Sequence, residues 1–160
     1  MEGAILSEIH HRGASTAFKV RKAFQESMSL EWRGSAGAVY PAIRRLTERG
    51  AVMATETGSG RRTSLLSLTP LGVTALEDWI CDPCRAASVG LDPFRLRSGM
   101  WSQLSAARRQ EAVFALRRTL EAEIALMQNY MLTLDTIERP RIELAVDLQI
   151  SRLEWLNSQQ

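Results

Sequence analysis

Cysteine and histidine are scarce in this chain, two of each in 160 residues. A tetrahedral metal site draws four ligands from such residues. His10 and His11 lie far along the chain from Cys81 and Cys84, so no metal or other cofactor is expected. So few cysteines also exclude a disulfide-stapled secreted scaffold and point to a reducing, cytoplasmic setting. No apolar run reaches the roughly 18 residues of a membrane span, and Glu2 and Glu8 interrupt any leader-like stretch at the start. No membrane partner is expected. Proline is rare, with five residues, which argues against a disordered chain. There is no Gly-x-Ser-x-Gly, no phosphate-cradling glycine loop and no acid–base or nucleophile constellation, which argues against an enzyme.

The composition that remains suits a folded protein. Apolar residues make up 45% of the chain, enough for a core. The net charge is only +2, but it is unevenly spread. Between Arg12 and Arg62 ten Lys/Arg face four Glu, a surplus of +6, whereas ten Arg balance ten Asp/Glu from Cys81 onward. A basic first half joined to a neutral second half suits a nucleic-acid partner for the first.

Apolar spacing predicts helices over residues 2–11 and from Ser15 or Thr16, either of which can cap, to about Met28, with a loop over 29–34. From Gly34 to Gly50 the spacing of Val39, Ile43 and Leu46 gives a helix with one apolar face. Ser35 is its expected N-cap, and Gly50 suits the left-handed stop. Its front is small in bulk (Ser35, Ala36, Gly37, Ala38) and then basic (Arg44, Arg45), which suits close approach to a DNA groove. Two β-prone runs, 51–57 and 61–68, flank Gly58-Ser59-Gly60, a hairpin signal. Val52, Ala54, Leu66 and Leu68 fit its buried face, and Arg61 and Arg62 sit at its tip. Thr69-Pro70 then starts a helix to about Ile80.

Three helices, a hairpin and a helix make a winged helix-turn-helix plan. Residues 81–104 read as a connector. Ser105 caps a long helix to about Leu134, whose seam of Val113, Leu116, Leu120, Ile124, Met127, Met131 and Leu134 is coiled-coil-like. A last helix over 138–158 has two apolar rows: Ile142, Val146, Ile150 and Leu153 on one, Leu144, Leu148 and Trp155 on the other. A helix apolar on two sides is buried between two partners, here the long helix and a second copy of the chain. The fold expected is mainly α: a winged helix domain (1–80), a connector (81–104) and a helical dimerisation domain (105–160). Leu116, Leu120, Ile124, Met127, Ile150 and Leu153 are the candidate dimer contacts.

Val39-Tyr40-Pro41-Ala42-Ile43-Arg44-Arg45-Leu46, followed by Gly50, resembles the Leu-Tyr-Pro-x-Leu-x-x-Leu…Gly signature of PadR-like transcriptional regulators. Gly60-Arg61-Arg62 and Leu68-Thr69-Pro70-Leu71-Gly72 resemble that family's wing and the segment after it. Asp92-Pro93-Phe94-Arg95-Leu96-Arg97 and the closing Trp155-Leu156 resemble its longer branch. The resemblance implies a recognition helix fronted by Tyr40 and Pro41, with the tyrosine hydroxyl on a phosphate, and wing arginines on the flanking backbone. It also implies a C-terminal dimer that relays an effector, and usually repression. Where relatives often carry His-Gly-Tyr, this chain has Ser15-Thr16-Ala17-Phe18. Phe18 replaces the tyrosine's packing but not its hydroxyl.

The reading is therefore a homodimeric DNA-binding repressor of a palindromic operator. Ser35, Ala38, Tyr40, Pro41, Arg44, Arg45, Arg61 and Arg62 face double-stranded DNA. Trp101, Phe114, Tyr130 and Trp155 are candidates for the pocket of a small aromatic or hydrophobic effector, or else pack the core and the dimer. Two alternatives stand beside it. One is a winged-helix module that binds protein. The other is a thiol-based redox sensor using the C-x-x-C pair Cys81 and Cys84, which also has the form of half a zinc site.

Overall fold

The computed structural model describes residues 1–27, 30–57, 63–89 and 93–159. It divides into two compact units, Met1–Trp79 and Ile80–Gln160.

The first unit begins with helix α1 (Glu2–Arg12), which buries Ala4, Ile5, Leu6 and Ile9. Ser15–Thr16 is a short strand, β1, and Thr16 then caps α2 (Ala17–Gln25) by accepting from the Lys19 N–H. Val20 and Phe24 are the buried side of α2, and Phe18 is 61% exposed. The packing expected of Phe18 is therefore not made. Residues expected as a loop instead form a short helix, α3 (Leu30–Gly34). Trp32 meets the Phe24 ring edge-on at 5.3 Å there, and that contact favours the turn.

A 3₁₀ turn (Ser35–Ala38) precedes α4 (Val39–Glu48). Ser35 does not cap α4. Its hydroxyl donates to the Trp32 carbonyl at 2.9 Å, and α4 has no side-chain cap. Pro41 explains the change of winding. It has no N–H to give to an i−4 carbonyl, so a continuous α-helix through it would lose a bond. With α4 starting at Val39, Pro41 falls in the first turn, where N–H groups have no intrahelical partner anyway. At the other end Gly50 adopts φ 71°. The Gly50 N–H donates to Thr47 and the Ala51 N–H to Leu46, both at 2.9 Å, the paired bonds of a Schellman stop.

β2 (Val52–Thr57) and β3 (Thr63–Leu68) pair antiparallel from Val52↔Leu68 to Thr57↔Thr63. β1 pairs along the other edge of β3, giving the order β1-β3-β2. Val52 and Leu66 are buried, but Ala54 is exposed. The hairpin leaves the core after its first residues, so the expected alternation stops early. α5 (Pro70–Cys81) follows. Helices and hairpin together form a winged helix, whose core gathers Ile5, Ile9, Val20, Val39, Leu46 and Val52.

The second unit holds α6 (Pro83–Ala87), α7 (Pro93–Ser98), a 3₁₀ turn (Trp101–Gln103), α8 (Ala106–Met131) and α9 (Glu138–Ser158). Ser105 caps α8 as expected, accepting from the Arg108 N–H. Asp135 caps the approach to α9. Its carboxylate accepts from the Ile137 and Glu138 N–H groups at 2.9 Å, and these bonds hold it below the ordinary aspartate value. α8 packs on α9 and on α6. Two buried polar groups tie α9 to the end of α6: Gln149 donates to the Ala87 carbonyl, and Arg152 donates to Ser88 at 3.0 Å and to Gln149 at 2.9 Å. Among the described residues no helix is long and apolar enough to cross a membrane.

Candidate nucleic-acid interface

The buried positions of α4 are Val39, Ala42, Ile43 and Leu46. At about 100° per residue they define one side, and Pro41, Arg44 and Glu48 lie opposite. Tyr40 and Arg45 occupy the flanks. Tyr40 is 46% exposed, and the Arg21 guanidinium of α2 lies 5.9 Å from its ring centroid. This is a cation–π contact. Arg44 points outward with a side chain 82% exposed, and its Nε donates to Glu48 at 2.8 Å. That bond raises the Arg44 pKa further, so the cation is permanent.

Arg45 is turned aside. Its Nε donates to Glu2 of α1 at 2.9 Å, and Arg49 donates to the other oxygen of the same carboxylate. The sequence pattern placed Arg44 and Arg45 together on the wet face; the fold separates them into an outward residue and a flanking one. Ala38 is exposed and Ser35 half-buried. Gly34 and Gly37 have room: a Cβ added at either would meet nothing within 4 Å among the described residues, and neither has positive φ. Internal packing therefore does not require glycine there. Arg61 and Arg62 lie outside the described residues, as does the Gly58-Ser59-Gly60 tip.

A cavity of about 820 Å³ opens in the second unit. Trp101, Phe114 and Trp155 line it, with Arg109, Gln110 and Arg117. Phe94, Trp101 and Trp155 form one ring cluster with centroids 5.5–6.1 Å apart. Tyr130, expected with them, is not in the lining. It sits about four turns, roughly 24 Å, beyond Phe114 on α8. Leu116 and Leu120 are 2% and 0% exposed, so they are used up inside the chain and a partner cannot reach them. Ile124, Met127, Ile150 and Leu153 are half-buried. The second row of α9, Leu144, Leu148 and Trp155, is exposed. Cys81 is half-buried and Cys84 exposed. Among the described residues no group of three or more His, Cys, Asp or Glu could hold a metal ion.

Residues 5–78 match the family model of the Transcriptional regulator PadR-like family. That match covers nearly the whole of the first unit, which is similar to PadR-like regulators over that stretch. Among solved structures, PadR of Bacillus subtilis in complex with operator DNA is 19% identical with a TM-score of 0.43, over 98% of this chain and 94% of that one. The same protein in complex with p-coumaric acid is 18% identical with a TM-score of 0.44, over 98% and 91%. A PadR-like transcriptional regulator from Bacillus cereus is 12% identical with a TM-score of 0.43, over 98% and 92%. No match was found among curated proteins. PadR-like proteins are DNA-binding transcriptional regulators, not typically enzymes, and this chain carries their winged helix.

Within the matched residues the motif after the wing has a structural task. The Thr69 N–H donates to the Ala51 carbonyl at 3.1 Å, and its hydroxyl donates to Gly50 at 2.7 Å while accepting from the Gly72 N–H at 3.1 Å. Gly72 is glycine because a Cβ would lie 2.0 Å from the Ala51 carbonyl oxygen. Sequence reasoning missed Glu2 and Arg21 as neighbours of the basic face. Arg21 belongs to α2 and Glu2 to α1, so no local period links them to α4. Arg49, one turn after Arg45, was legible from spacing alone.

Proposed function

We propose that this PadR-like regulator represses transcription as a homodimer on a palindromic operator and is released by a small aromatic or hydrophobic effector. The observation that carries DNA reading is the front of α4. Tyr40, Pro41 and Arg44 face away from the core, preceded by Ala38 and by glycines that nothing inside the chain requires. Arg44 and the small residues meet base edges in the major groove, while Tyr40, with Arg21 on its ring, meets phosphates. Ser35 supports the approach, Arg45 stands at the flank held by Glu2, and the wing arginines Arg61 and Arg62 take the neighbouring backbone. The surplus of positive charge in the first half suits this reading better than a protein-binding face.

Residues 1–80 act as the reading domain and 105–160 as the dimerisation domain, joined through 81–104. A second copy is the fitting occupant for the exposed row Leu144, Leu148 and Trp155, with the half-buried Ile124, Met127, Ile150 and Leu153 at its edges. Two recognition helices related by a two-fold then read half-sites about one helical turn apart. A specific interface buries more than about 1,000 Å². The effector occupies the cavity walled by Trp101, Phe114 and Trp155. Trp155 belongs both to that wall and to the exposed row, so occupancy and pairing bear on one side chain. Repression is what the family resemblance implies.

Selection of bound duplexes from a random pool tests DNA reading: a recovered inverted repeat is expected, and recovery of no preferred sequence refutes it. Light scattering after size exclusion tests the dimer, and a monomer at micromolar concentration refutes it.

A further inference from the structure

Glu2 is the first residue of α1, yet its carboxylate serves α4. One oxygen accepts from Arg45 Nε at 2.9 Å and the other from Arg49 Nη2. The Glu2 side chain is 29% exposed, against 55% and 58% for the two arginines. Burial alone would raise the Glu2 carboxyl, but the two guanidinium hydrogen bonds outweigh it and hold the group below its ordinary value. At neutral pH it is an anion. Arg45 and Arg49 are like charges at i and i+4, which repel on a helix. A single anion with two oxygens relieves both, as a phosphate group does when it bridges two guanidinium groups. The other arginine of α4, Arg44, turns to Glu48 on the outward side.

We propose that Glu2 is an affinity-limiting residue: it stands in for a DNA phosphate and withholds Arg45 and Arg49 from the duplex backbone. The proposal rests on the DNA-binding reading. Its physical content is the balance between specific and non-specific binding. Binding without regard to sequence comes almost wholly from neutralised phosphates, each adding about 0.9 to the slope of log affinity against log salt. Two arginines tied to a carboxylate do not contribute. By removing their share, Glu2 weakens binding everywhere while leaving Arg44 and the front of α4 to discriminate. The operator is thereby favoured over the excess of other sequences.

The test uses the full chain and a duplex of scrambled sequence, with binding followed by fluorescence anisotropy from about 50 to 200 mM salt. Glu2→Gln keeps the shape of the side chain and removes its charge. It is expected to bind tighter at low salt and to steepen the slope by one to two units, so that it loses up to about tenfold more affinity than wild type across that range. Glu123→Gln on the exposed side of α8 makes the same change in net charge and is expected to leave the slope alone. Arg49→Ala is expected to be almost silent alone and to remove about half of the gain when combined with Glu2→Gln. Glu2→Ala, free of any hydrogen-bond acceptor, should behave like Glu2→Gln. An unchanged slope, weaker binding, or an equal gain from Glu123→Gln overturns the proposal. No binding by wild type or any variant overturns the DNA-binding reading itself, and the proposal with it.

Discussion

Gly37 and Gly72 are both exempt from a side chain, but for opposite reasons, and replacing each separates folding from function. At Gly37 a Cβ meets nothing within 4 Å and the backbone needs no positive φ. Alanine there removes freedom from the unfolded chain and is expected to stabilise by about 0.5–1 kcal/mol. For a chain of this size that raises Tm by roughly 1–4 °C. At Gly72 the Cβ falls 2.0 Å from the Ala51 carbonyl oxygen. Backbone cannot yield as a side-chain tip does, so Gly72→Ala is expected to cost at least about 1–3 kcal/mol and to lower Tm by several degrees. Binding runs the other way. Gly37→Leu places four carbons on the 3₁₀ turn that leads α4 toward the groove. If that front lies against DNA, the misfit costs about 1–3 kcal/mol, or roughly 5- to 150-fold in affinity. Thermal melts followed by circular dichroism, with operator affinity from anisotropy, measure both sides. A Gly37→Leu protein that is as stable as wild type and binds as tightly refutes the placement of this turn at the DNA.

Other substitutions test the remaining assignments. Leu120→Ala is expected to lower stability by about 2–5 kcal/mol in denaturant titration, because Leu120 is sealed inside the second unit; a cost under 1 kcal/mol would contradict its burial. Leu144→Asp with Leu148→Asp should leave the far-ultraviolet spectrum intact and halve the mass seen by light scattering, since both side chains are exposed in the single chain. Pro41→Ala should change stability by less than about 1 kcal/mol, because the first turn of α4 asks nothing of that N–H. The Glu2 carboxyl is lowered on folding from an ordinary value of 4.5. Its stabilisation is present above that value and lost as pH falls through the folded one. The Tm gap between wild type and Glu2→Gln at neutral pH should therefore close in acid.

Much of the architecture could be read from local signals. Thr16, Ser105 and Gly50 act as caps or stops because their side chains or their lack of one act within a few residues. The seam of α8 and the two rows of α9 were visible as periods. What periods cannot reveal is which neighbour a face meets. Leu116 and Leu120 have the spacing of a dimer seam, yet α9 and α6 of the same chain lie on that helix. Trp101, Phe114 and Trp155 converge on one cavity because the 3₁₀ turn, the start of α8 and the end of α9 come together; Tyr130 shares their chemistry but not that end of α8. The Glu2–Arg45–Arg49 cluster joins residues more than forty positions apart, so only the packing of α1 on α4 brings it into view. The change of winding at Val39 was hidden because the sequence marks Pro41 as a difficulty without saying how the chain avoids it.

Thr69 fastens both carbonyls that follow α4, those of Gly50 and Ala51, and in the same act starts α5. The residues it clamps are also the ones that lead directly into β2. Helix and hairpin thus behave as the jaws of a caliper with a fixed opening, not as two fingers on a loose joint. Under the proposed DNA reading, such a protein would measure its half-site as well as read it. In that reading a base pair inserted between the stretch under α4 and the stretch under the hairpin would not be absorbed by a swing of the wing, and one of the two grips would let go.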